Sequence, residues 1–125
     1  MLVVLALTDS IPTELGNLTN LQRIYLFSNQ LTGYQTGAIS TSQTALNDIR
    51  LHNNGTAETP FPVADINQIC EDVLASVVAA NRTGELNLSG TNMTQPTGDG
   101  LAAAQTLVDT HGWTVTLKDG ALSPT

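Results

Sequence analysis

Apolar side chains between Leu21 and Gly33 fall at Leu21, Ile24, Leu26 and Leu31, with Asn29 and Gly33 at set places among them. This spacing is too tight in the middle for a helix face and too loose at its ends for one strand. It predicts a short strand through Ile24 and Leu26, a turn built on Asn29, and Leu31 folding back beneath the strand. The spacing returns at Leu46, Ile49, Leu51 and Asn54. A repeat of this length predicts a solenoid, in which each unit buries its apolar side against its neighbours.

The same ruler divides the whole chain. Residues 1–20 read as a truncated first unit, in which Ile11-Pro12, Leu15-Gly16 and Leu18 form the return half. Leu2, Leu5 and Leu7 fall near its strand and turn, but Leu5 takes the slot of Asn29 and Asn54, and Asp9 that of Gly33. This unit is either a degenerate cap or the edge of a longer array, and an open end of that kind invites pairing. Residues 21–45 form the second unit, with Tyr34 to Ala45 as an irregular return. Residues 46–82 contain a tight turn at Asn54-Gly55, a linker from Thr56 to Pro62, and a helix over 63–81. Val63, Ile66, Ile69, Cys70, Val73, Leu74 and Val77 give that helix one apolar face. Asp65 suits its positive end, and Gly84 can stop it. In residues 83–110, Glu85 to Ser89 alternate as a strand and a second helix follows over 99–110. His111-Gly112 terminates it, and 111–125 supply a final strand, Trp113 to Leu117, and a tail.

Ile11-Pro-Thr-Glu-Leu-Gly-Asn-Leu-Thr-Asn-Leu-Gln-Arg-Ile-Tyr-Leu-Phe-Ser-Asn-Gln-Leu-Thr-Gly33 resembles the leucine-rich repeat family in its roughly 24-residue form, with the Ile-Pro and Leu-Thr-Gly signature. The resemblance implies an α/β fold: a right-handed solenoid with a parallel sheet of about four to five strands on the concave face. Irregular or 3-10 segments and then α-helices would occupy the convex face. It also implies that the turn asparagines, Asn29 and Asn54, hydrogen-bond backbone groups of adjacent units. The physics agrees, because a stacked turn buries N–H and C=O groups and an amide supplies both donor and acceptor. Residues 46–117 are similar to degenerate leucine-rich repeats of bacterial and phage-type surface proteins.

Composition narrows the function. Eleven acidic against four basic residues give a net charge of −7, and Arg23, Arg50, Arg82 and Lys118 are scattered, which argues against nucleic acid and anionic membrane surfaces. No stretch approaches the roughly 18 apolar residues of a membrane span. Cys70 is the single cysteine and sits in an apolar helical pattern, so it reads as a buried structural thiol. Neither His52 nor His111 has metal-ligand spacing, and no nucleophile is placed beside a base, so no cofactor, metal or catalytic centre is expected.

Strand alternation instead puts Arg23, Tyr25 and Phe27, Asp48, Arg50 and His52, and Glu85, Asn87 and Ser89 on one face, with Thr114 and Thr116 from the last strand. Parallel stacking would align them in columns roughly 4.8 Å apart. The expected columns are Tyr25, Arg50, Asn87, Thr114 and Phe27, His52, Ser89, Thr116. Aromatic and arginine side chains together are characteristic of binding surfaces. The same aromatics could also do no more than cover a short sheet. The expectation is a non-enzymatic module that recognises a protein or glycan, at a cell surface, outside the cell or on a virion. The other expectation is a structural cap or spacer that self-associates through its N-terminal edge.

Overall fold

The computed structural model describes residues 2–3 and 8–125. Leu5 and Leu7, expected near the first turn, lie outside them. The described residues fold as a mixed α/β structure with a six-stranded sheet, a separate two-stranded sheet and two α-helices.

The large sheet runs β1 (Leu2–Val3), β3 (Arg23–Tyr25), β5 (Asp48–Arg50), β6 (Glu85–Asn87), β7 (Thr114–Leu117) and β8 (Gly120–Ala121) in spatial order. Its first five strands are parallel, and β8 returns antiparallel against β7. Alternation decides which side chains turn inward. Ile24, Ile49, Leu86 and Val115 lie level across four strands, and each is almost fully buried. Leu26, Leu51, Leu88 and Leu117 form a second buried column. The hydrogen-bond ladder reaches them just past the strand ends, from Leu26 N to Arg50 O at 3.0 Å and from Leu51 N to Asn87 O at 3.0 Å. A fully buried Leu or Ile contributes about 1.5–3 kcal/mol, so these columns are a principal source of stability.

The core continues to the helices. α1 (Val63–Ala79) turns Ile66, Ile69, Cys70, Val73 and Val77 inward, and α2 (Gly98–His111) turns Ala103, Ala104, Leu107 and Val108 inward. Both helices pack side by side. α1 stops two residues short of the predicted end, and Gly84 does not stop it. Gly84 is instead a point of close approach, where a Cβ would meet the Trp113 ring at 2.7 Å. Gly112 does cap α2, with φ 69° in the left-handed region.

Five further expectations need correction. The irregular return begins one residue later than expected, at Gln35, because β4 (Gln30–Tyr34) pairs in parallel with β2 (Thr8–Ile11). A bulge between Asp9 and Ser10 in that pair puts Ser10, not Asp9, opposite Gly33. The 56–62 linker is no spacer at its end, since Phe61 is wholly buried. Residues 118–125 are not a loose tail: β8 closes the sheet edge, and Asp109 accepts a hydrogen bond from Thr125 N at 2.9 Å. Finally, Glu85 pairs with Thr114, two positions later than the spacing predicts. Trp113 explains the shift. Its Nε1 donates to Arg82 O at 2.7 Å, which anchors it ahead of the strand rather than within it.

Candidate functional site

The outward side chains of β3, β5 and β6 form one face. Register sets Arg23, Asp48, Glu85 and Thr114 level in one row and Tyr25, Arg50, Asn87 and Thr116 in the next. Thr114 therefore belongs beside Glu85, and Thr116 beside Asn87, a correction of the columns expected from spacing. A slip of two residues keeps every side chain on its own face, so alternation alone cannot detect it.

Asp48 is the hub of this face. Its carboxylate accepts from the Tyr25 hydroxyl at 2.5 Å, from Arg50 Nε at 3.0 Å and from Arg50 Nη2 at 3.3 Å. Arg50 also lies 3.9 Å from Glu85, and its guanidinium stands 4.9 Å from the Tyr25 ring centroid. Tyr25, Asp48, Arg50 and Glu85 thus form one chain of contacts across three strands. Partial burial opposes ionisation of Asp48, but the hydrogen bonds from Arg50 and Tyr25 outweigh it and hold the carboxyl below its usual range. The same Asp48 contact raises the Tyr25 phenol and the Arg50 guanidinium.

Phe27 and His52 make a second contact, with ring centroids 4.7 Å apart and planes inclined by only 4°. Tyr25 sits 6.1 Å from Phe27 at a tilt of 59°, so the aromatic groups are continuous. His52 is therefore drawn to Phe27 rather than to Asp48. Desolvation lowers its pKa, as does the Arg50 charge, while Glu85 pulls the other way. Farther along the face, the Asn87 amide oxygen accepts from Ser89 N at 3.0 Å and Ser89 Oγ at 2.7 Å. Arg23, Tyr25, Phe27, Asp48, Arg50, His52, Glu85, Asn87 and Ser89 consequently occupy one surface.

Both turn asparagines hold backbone carbonyls. Asn54 is buried: its Nδ2 donates to Leu26 O and Leu51 O, each at 2.9 Å, and its Oδ1 accepts from Leu31 N at 3.2 Å. It joins two successive turns. Asn29 is half-buried and donates to Leu26 O and Phe27 O of its own turn. Positive φ falls on Asn53 (58°) and Gly55 (76°), flanking Asn54.

Sequence spacing missed one part of the site. Arg23, Asp48 and Glu85 line a shallow polar recess at the strand-start edge together with Asn47, Thr83 and Thr114. Asn47 lies one residue and Thr83 two residues before their strands, positions at which alternation assigns no face. On α1, Asp72 accepts from the buried Tyr34 hydroxyl at 2.7 Å and from Gly37 N at 3.0 Å. Among the described residues, no helix is long and apolar enough to cross a membrane. Compared with known protein families, curated proteins and solved structures, the chain has no match.

Proposed function

We propose that the chain is a short leucine-rich-repeat-type solenoid acting as a non-enzymatic recognition module, with the open sheet face as its concave binding surface. Level apolar columns, the buried Asn54 amide bridging successive turns, and helices on the return segments support the architectural part of this reading. The contact chain Tyr25–Asp48–Arg50–Glu85 carries the functional part. Holding these side chains in one geometry before a partner arrives lowers the ordering cost of binding.

The double variant Tyr25→Ala, Arg50→Ala tests the surface directly. Its side chains lie on the outer face, where such pairs contribute less than about 1 kcal/mol to stability. Thermal unfolding is expected to change little, while capture of a protein or glycan partner is lost. Capture that survives the double change removes this face as the binding surface.

A further inference from the structure

The open face carries Arg23 and Arg50 with Asp48 and Glu85, so it is formally neutral on a molecule of net charge −7. Three of these four charges already touch one another through Arg50. A cationic partner would have to compete with Arg50 for both carboxylates. An anionic partner would approach a molecule whose field repels it.

With Asp48, Arg50 and Glu85 satisfied by one another, the face offers planar groups that donate and accept hydrogen bonds. These are guanidinium, carboxylate and amide groups, joined by the hydroxyls of Ser89, Thr114 and Thr116. The recess at its strand-start edge is walled almost wholly by polar atoms. Protein hot spots sit in well-packed, fully desolvated pockets, and this shallow open recess is not one. Phe27, 40% exposed, supplies an apolar patch beside the polar groups.

We infer that this face takes a neutral oligosaccharide. The hydroxyls of a neutral sugar both donate and accept, which matches the mixed groups of Arg23, Asp48, Glu85 and Asn87. Its C–H face packs on Phe27. The Asp48 and Ser89 contacts fix Arg50 and Asn87 in advance, which suits a ligand read by directional hydrogen bonds. This assignment rests on the reading of the open face as the recognition surface.

The test is an NMR titration of the isotope-labelled chain with neutral oligomers of cellulose, mannan and chitin, and with oligogalacturonate as the charged control. One neutral oligomer is expected to bind with Kd of about 1 mM or tighter and to shift the amides of 23–27, 48–52 and 85–89. Raising the salt concentration leaves that affinity unchanged, because no net charge is neutralised. Asn87→Ala weakens it about tenfold with little change in melting temperature. If no neutral oligomer binds, the inference is overturned. If a protein is captured by the wild type and lost in the Tyr25→Ala, Arg50→Ala variant, the face stands and the sugar class falls. Shifts confined to α1 and α2 overturn the face itself.

Discussion

His52 is the most informative single residue on the open face. Its Nδ1 is buried and makes no hydrogen bond, while its ring lies flat against Phe27. A bare lone pair is less costly to bury there than an unpaired N–H, which places the proton of the neutral ring on Nε2. Its pKa is depressed by desolvation and by Arg50, so the folded protein binds fewer protons at this site than the unfolded chain does. The sign follows by linkage: stability is full above the unfolded value of about 6.5 and falls as pH drops through it toward the folded value. Asp48, held below its usual range, adds a further loss at more acidic pH. His52→Phe keeps the ring stack and removes the titration. Melting temperature measured against pH is expected to show the first decline in the wild type and not in the variant. Equal slopes in both would remove His52 as its source.

Arg82 shows how elements are joined. The sequence marks it only as a cation beyond the end of α1. In the fold its Nη1 donates to Ser76 O at 3.1 Å and Ala80 O at 2.7 Å, meeting the last carbonyls of the helix. Its Nε donates to Leu46 O at 2.6 Å, and Nη2 to Gln43 O at 3.2 Å and Ser76 Oγ at 2.7 Å. One guanidinium therefore ties the segment before β5 to the end of α1. Removing it strands several half-buried carbonyls. Arg82→Ala should cost about 2–3 kcal/mol, read as a lower urea midpoint with unchanged slope. Arg82→Lys should recover only part of this, because an ammonium lacks the planar fork. Gln43 acts similarly, donating from its buried Nε2 to Leu15 O at 2.8 Å. Neither role is legible locally, since the partners belong to other turns of the chain.

At the scale of the whole molecule, one hydrophobic cluster extends from Ile11 to Leu117 through both helices and the large sheet. Cys70 sits inside it with no exposed surface, and burial pushes its thiol up to about 12. Thiol reagents should therefore reach Cys70 only when the cluster opens. The labelling rate in increasing urea is expected to follow global unfolding with the full denaturant slope. Fast labelling in the absence of urea would instead mean that α1 detaches on its own. Tyr34 shares this interior. Burial and the Asp72 contact raise its phenol far above the ordinary range, so it stays a neutral donor.

Periodicity was enough to read the inward residues of β3, β5 and β6, most of the apolar face of α1, where Val63 is the exception at 40% exposed, and the membership of the open face. These depend on local geometry, because alternation along a strand or a 3–4 spacing along a helix follows from the backbone itself. Asn54 was legible for the same reason, as a turn amide at a repeated place. The register of β7 was not, because a slip of two residues leaves the inside-outside pattern intact. The Trp113 bond to Arg82 O and the packing on Gly84 help hold the pairing that forms. The β2–β4 pair, the β8 return, the burial of Phe61 and the Asp48 contacts were likewise decided in three dimensions. Each depends on which distant segment supplies a partner, and the spacing along the chain carries no record of that.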